Sequence, residues 1–336
     1  MNKIYIVVIN YNKFNDTVEC LESLLKSNYL NFQIFIVDNS IDKSSVNYFS
    51  NWLTSNNGID IDTDFEYLVF PLENKPIAHT IISEKEFSTS DKLFEEKITI
   101  VTTVNNGFAA ANNIILNYIL KKGDPDSMVW MLNNDTVVKN DTLSSLVNFY
   151  RDNVSARYIL GSKLMFYHSP NTIQAIAGEY NKWIGKHTHV GSGEKDNGQF
   201  DNYKPQKMSY VVGASMFFPK LFLEEVGLIS EDYFLYFEEL DWMQEGTKRG
   251  YKMALAPDAI VYHKEGASII GKDNDTSMAE YYSITNRVRF IKKWYPWYLI
   301  TIMPGVVFAL LKRLIQGKFD LVKKTSFSIF KILLTD

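Results

Sequence analysis

Four polar clusters in this chain carry residue types that can do chemistry. Asn10-Tyr11-Asn12 ends one apolar run, Asp38-Asn39 ends a second, and Asn133-Asn134-Asp135 ends a third. The fourth, Glu238-Glu239-Leu240-Asp241, sits in an aromatic frame of Tyr233, Phe234, Tyr236, Phe237 and Trp242. An Asp at a strand end is a hard oxygen ligand that suits Mg²⁺ or Mn²⁺, above all when the phosphates of a substrate complete the coordination shell. Carboxylates set against aromatic walls are partly desolvated, which raises their pKa and favours general-base work near neutral pH. On a helix Glu238 and Asp241 share a face while Glu239 points elsewhere, so the acidic cluster divides into two roles. Each signal also has a plainer reading, since Asn-Asp caps helices and acidic runs open solvated ones.

Two further segments add to the set. Asn106-Gly107-Phe108-Ala109-Ala110-Ala111-Asn112-Asn113 joins a strand to a helix through small residues, which lets a ligand approach the backbone and helix N–H groups; tight packing of the helix on a sheet would demand the same alanines. His263 follows the strand-like run Ala259 to Tyr262, where it is placed to ligate a metal or contact a phosphate, or to serve the structure alone.

These residues need a scaffold, and the apolar runs describe one. Ile4 to Ile9, Gln33 to Val37, Ile98 to Val104 and Met128 to Leu132 read as strands, the first buried on both faces. Between them lie helical patterns: Val18, Leu21 and Leu25 after a capping box at Asp16 and Glu19, then Ala109 to Leu120 closed by Gly123 and Pro125. Strands alternating with helices at this spacing predict an α/β fold with a largely parallel sheet and right-handed crossovers. In such sheets ligands bind outside the carboxyl ends of the strands, where the first three polar clusters fall. The part of the long second connection from Pro71 to Lys97 reads as a surface insertion, and the glycine-punctuated stretch after Phe149 as a mobile, substrate-covering region.

Composition narrows the function classes. The 336 residues and 46% hydrophobic content supply ample core, and a net charge of -4 gives no electrostatic case for nucleic acid. No Gly-x-Gly-x-x-Gly follows the first strand, which argues against a dinucleotide enzyme, and Asn10-Tyr11-Asn12-Lys13 lacks the glycines of a nucleotidyltransferase loop. The single cysteine, Cys20, reads as a small buried apolar residue. The N-terminus enters its first strand with no secretory signal, so the sequence predicts a cytoplasmic protein. The apolar run from Tyr295 to Leu311, interrupted by Pro304-Gly305 and bracketed by Lys292, Lys293, Lys312 and Arg313, falls short of a spanning helix. It is read as a segment in the membrane interface, with a hairpin packed on the protein or on a second subunit of a homodimer as the alternative.

Together the ordered motifs resemble the inverting family 2 glycosyltransferases with the GT-A fold, in the branch of bacterial rhamnosyltransferases of O-antigen and capsule assembly. The resemblance covers residues 3 to 293 and implies a GT-A domain over 1–285, with a nucleotide-binding half (1–135) and an acceptor-binding half (136–285), followed by a helical tail over 286–336. It implies that Asn10, Tyr11, Asp38, Asn106, Gly107 and Asn112 contact the nucleotide. Asn133-Asn134-Asp135 stands for the family's Asp-x-Asp, so Asp135, with His263, would hold Mg²⁺ or Mn²⁺ and Asn133 would support it. The family's Glu-Asp pair aligns with Glu238-Glu239, which makes Glu239 the base, Glu238 the second choice and Asp241 a support. Glu245 and Thr285 depart from the family pattern, where Arg is frequent at both. The implied donors are dTDP-rhamnose or a UDP-hexose, and the implied acceptor is an oligosaccharide or polyprenyl-diphosphate-linked saccharide at the membrane surface. A non-catalytic sugar-nucleotide-binding partner is the rival reading.

Overall fold

The computed structural model describes residues 2–40, 44–153, 157–203, 210–264 and 277–334. Its first half is built from β1 (Ile4–Asn10), α1 (Phe14–Leu25), β2 (Phe32–Asp38), α2 (Ser44–Thr54), α3 (Glu66–Val69), β3 (His79–Ser83), α4 (Glu84–Thr89), β4 (Ile98–Thr102), α5 (Phe108–Lys122) and β5 (Met128–Asn133). The five strands run parallel in the order β3-β4-β2-β1-β5. Their sequences are apolar at successive positions because both faces are covered. Ile4, Ile6, Val8, Ile34 and Ile36 pack with Leu21 and Trp52 on one side, while Tyr5, Val7, Phe35 and Val37 pack with Ile115 and Ile119 of α5 on the other.

Two expectations change here. The segment read as a surface insertion contributes β3 and α4, and β3 extends the parallel sheet beyond β4 as its edge. The capping box forms at Ser83 and Glu86, at the start of α4, rather than at Asp16 and Glu19. α1 already begins at Phe14, and Asp16 and Glu19 instead grip the Lys264 ammonium at 2.6 Å each. Cys20 is fully buried against Thr136, and burial pushes its thiol up to about 12, which leaves it inert.

The second half supplies β6 (Thr136–Val138), α6 (Thr142–Asp152), β7 (Tyr158–Phe166), β8 (Ser169–Ala175), β9 (Gly178–Asn181), β10 (Lys186–His189), β11 (Ser215–Pro219), α7 (Lys220–Val226), α8 (Glu238–Lys248) and β12 (Lys252–His263). β11 joins antiparallel to β5, and the sheet continues through β7 and β12 to β6, while β9 and β10 make a separate two-stranded hairpin. Strand order and strand direction therefore change beside β1 and β5, the place where an open sheet holds its ligand.

α9 (Ser277–Trp294), a single 3₁₀ turn at Pro296–Tyr298, α10 (Leu299–Ile315) and α11 (Phe319–Leu334) complete the chain. α9 runs unbroken across 285–286, so no linker separates tail from domain at that point. Its Ile284, Val288 and Ile291 meet Ile302 and Val306 of α10 and Ile329 and Ile332 of α11. α10 carries Pro304 without ending, and residues 296–315 are 20 in number with mean hydropathy 1.7, long and apolar enough to cross a membrane by length and composition. The run is thus longer and less interrupted than the sequence reading held.

Candidate active site

A crevice of about 530 Å³ opens at the carboxyl ends of β1 and β5. Ile9 and Tyr11 after β1, Asn39 after β2, and Asn133, Asn134 and Asp135 after β5 line one end. Residues 234–240, leading into α8, line the other. Asp135 and Glu239, 104 positions apart in the chain, thus border a single cavity.

Asp135 is fixed from several directions. Its backbone carbonyl accepts from Lys264 N at 3.0 Å, which ties the β5 end to the β12 end. Its Oδ1 lies 3.1 Å from His263 Nε2, and His263 Nδ1 donates to Gln174 Oε1 at 2.7 Å, which orients the ring and leaves Nε2 for the crevice. Burial acts to raise the Asp135 pKa, but the hydrogen bond and charge of His263, with the charge of Lys264 behind, outweigh it and hold the carboxyl below its usual value. Among the described residues no group of three or more His, Cys, Asp or Glu side chains is assembled to hold a metal. Asp135 and His263 fit a divalent cation as a two-donor partial shell, one that ligand oxygens would have to complete.

The acidic end is built by an unusual turn. Tyr236 and Phe237 take left-handed conformations, with φ of 67° and 75°, immediately before α8 begins at Glu238. For non-glycine residues such a pair costs roughly 1–3 kcal/mol each and persists only where the surroundings impose it. Asn286 of α9 does so by donating to Leu235 O at 2.8 Å and Tyr236 O at 3.2 Å. Phe108 N donates to Phe234 O at 3.2 Å, and Gly107, at φ 100°, lies so close that a Cβ there would fall 2.7 Å from that oxygen. The glycine is thus required at this position by the docking of two loops.

That turn aims two glutamates into the crevice. Glu238 is 4% exposed, and its Oε2 is buried with no hydrogen-bond partner among the described residues. Desolvation first, and then the charge of Glu239, push its carboxyl well above the ordinary range. Glu239 keeps part of its surface open to the crevice and lies beside Gly213, its Oε1 at ordinary contact distance, 3.6 Å, from where a Cβ there would stand. Desolvation raises its pKa as well.

The structure separates the remaining sequence candidates. Tyr11, Gly107, Asn133 and Asn134 line the crevice. Asn10 and Asp38 do not: Asp38 is buried and accepts from Asn10 Nδ2 at 2.8 Å, Ser40 Oγ at 2.6 Å and Ser45 Oγ at 2.6 Å, while Asn10 Oδ1 accepts from Thr17. They brace the loops beneath, and the residue after each faces the cavity. Asn106 is exposed outside the crevice while its neighbour Asn105 lines it, and Asn112 is buried with its amide donating to Phe108 O at 2.9 Å. Asp241 turns away from the crevice, held by Lys293 at 2.8 Å, Trp294 Nε1 at 2.6 Å and Tyr233 OH at 3.1 Å.

Sequence reasoning missed His187 and His189 on β10 and Tyr210 and Gly213, all of which line the crevice. The signal was the His187-x-His189 spacing, which puts two imidazoles on one face of a strand. Burial, the charge of His189 and that of Arg287 hold His187 below its ordinary pKa, so it presents a neutral ring.

No family profile matches the chain. It is 23% identical over 250 residues to the dTDP-rhamnosyl transferase RfbF of Shigella flexneri, an alignment covering 71% of this chain and 79% of that protein. GalNAc-T7, solved with UDP, GalNAc and Mn²⁺, overlays with a TM-score of 0.56 at 12% identity, over 88% of this chain but only 49% of its own length. The mannosyltransferase PcManGT from Pyrobaculum calidifontis, solved with GDP-Man and Mn²⁺, gives a TM-score of 0.49 at 14% identity over 99% of this chain and 81% of that one. The fold is that of the GT-A glycosyltransferases, as the sequence implied, and the class on which that fold and the relative RfbF agree is glycosyltransferase. Within that class, the resemblance to rhamnosyltransferases seen in the sequence has its counterpart in RfbF.

Proposed function

We propose that this chain moves a sugar, with inversion, from a nucleoside diphosphate sugar to a hydroxyl of a lipid-linked saccharide in cell-surface polysaccharide synthesis. The observation that carries the reading is the meeting of Asp135 and Glu239 on one crevice at the strand ends. Glu239, the more open of the two glutamates, accepts the proton of the acceptor hydroxyl. The acceptor oxygen bonds to the anomeric carbon as the bond from that carbon to the diphosphate oxygen breaks, a single displacement that inverts configuration. Glu238, biased by burial toward its neutral form, lessens the negative charge beside Glu239. Asp135 and His263 would hold Mg²⁺ or Mn²⁺. That cation supplies charge stabilisation for the departing diphosphate. Tyr11, Asn39, Asn133 and Asn134 line the donor end, and the name of the relative RfbF makes dTDP-rhamnose the first donor to try, with UDP-hexoses next. Incubation of the purified chain with dTDP-rhamnose and Mn²⁺ should release dTDP, and a panel of sugar nucleotides that yields no nucleoside diphosphate at all would leave only a binding partner.

The tail supports action at the cytoplasmic membrane face. Trp297 on the 3₁₀ turn, Ile300, Val307, Phe308, Leu311 and Ile315 on α10, and Phe327, Phe330 and Leu334 on α11 stand exposed. Exposed Lys312, Lys323 and Lys324 border them, the pattern of a hairpin seated among anionic headgroups. Flotation with vesicles of phosphatidylglycerol should carry the chain upward and Phe327→Ser/Phe330→Ser should stay behind; a salt-insensitive dimer that ignores vesicles would assign the face to a second copy.

A further inference from the structure

Beside the crevice lies a second cavity of about 300 Å³, walled by the 231–234 loop, α9 and α11. Phe234 lines both. The ring of Phe234 stacks on Tyr282, with centroids 5.0 Å apart and planes 16° apart, and Tyr281 meets Tyr282 edge to face. Around this aromatic wall stand two carboxylates, Glu231 and Asp232, and two cations, Arg289 and Lys331. Arg289 Nε is buried and makes no hydrogen bond among the described residues.

The mixture of groups selects the occupant. A free anion would face two carboxylates, and a cation would face Arg289 and Lys331. An apolar molecule would leave the Arg289 donor buried and unsatisfied, which costs about 1–3 kcal/mol. A neutral ring bearing several hydroxyls satisfies all of them at once: each hydroxyl both donates and accepts, and the aliphatic face of the ring lies on an aromatic wall. We propose that this cavity is an acceptor subsite that holds a saccharide unit next to the one whose hydroxyl reacts in the crevice. α11 fits the role, since it walls the cavity with Ser328, Lys331 and Ile332 while Phe327 and Phe330 face outward. A saccharide leaving the cavity along this helix reaches the same surface on which its lipid carrier would be anchored.

The assignment rests on the glycosyl-transfer reading, and the test separates the two. Saturation-transfer NMR on the full chain, with methyl rhamnoside, methyl glucoside and N-acetylglucosamine as probes, is compared among wild type, Arg289→Met, Lys331→Met and Asp135→Asn, each checked for an unchanged melting temperature. At least one probe is expected to bind wild type and Asp135→Asn alike and to bind Arg289→Met about tenfold more weakly, with Lys331→Met affected less and release of dTDP from donor in the presence of water unaltered. Binding lost in Asp135→Asn but kept in both cavity variants would place the saccharide in the crevice alone and overturn the subsite. No binding by any probe, or displacement of the probe by inorganic phosphate, would overturn it too. Failure of donor turnover in wild type, with probe binding intact, would count against the transfer reading and not against the cavity.

Discussion

Asp135 and Glu239 border the same crevice in opposite surroundings. Asp135 is ringed by partners, and His263 with Lys264 lowers its pKa despite burial. Glu238 and Glu239 sit among Phe234, Tyr236 and Phe237, and burial raises both pKa values, with the charge of Glu239 adding to the rise at Glu238. One end of the site holds its charge more firmly than an ordinary carboxylate, and the other takes up a proton more readily than one. Environments that drive the pKa values of two carboxylates apart are how a single site divides anchoring from proton transfer.

The largest expected effect comes from erasing either end. Glu239→Gln should lower kcat about 10²- to 10⁴-fold while leaving donor affinity, read by calorimetry, within about twofold. Asp135→Asn should instead weaken donor binding in the presence of Mn²⁺; equal losses of binding in both variants would dissolve the contrast. Next in size is the pH profile. Because the Glu239 pKa is raised, turnover should climb with pH through a value above that of an ordinary glutamate, and a rate already flat at pH 5 would deny Glu239 the proton transfer.

Smaller shifts test the scaffold. Asn286→Ala removes two donors from the left-handed turn and should cost about 1–3 kcal/mol, with kcat falling more than donor KM rises; an unchanged melting curve would mean that the turn holds itself. The least effect belongs to Glu238→Gln. A carboxyl whose folded pKa is raised contributes stability at low pH that disappears as pH climbs through the folded value. The variant should therefore melt a few degrees above wild type at pH 8, about 1 kcal/mol in a domain of this size, and match it at pH 5. Equal melting points at both would show that Glu238 is not held neutral.

How much of this was legible follows from range along the chain. β1, β2 and β5 announced themselves because both faces are buried, so each reads as a continuous apolar run. β3 did not, since every residue of His79–Ser83 is half-buried at a sheet edge. Asp135 and the glutamate pair stood out because their local context is unusual, an acid at a strand end and acids inside aromatics. Asn10 and Asp38 were placed one residue from the wall, a distinction that depends on which way a strand end turns. The Lys264 clamp on Asp16 and Glu19, and the arrival of His187 and His189, depend on partners far off in sequence and could not be read locally.

The β9–β10 hairpin is not laddered to the main sheet, yet it delivers His187 and His189 to the crevice. Asp135 and His263, by contrast, end strands buried in that sheet. The two imidazoles thus reach the crevice on a hairpin with its own ladder, held to the core by the packing of Tyr180 on Phe237 and Phe290 rather than by the strand hydrogen bonds that fix the ends of β5 and β12.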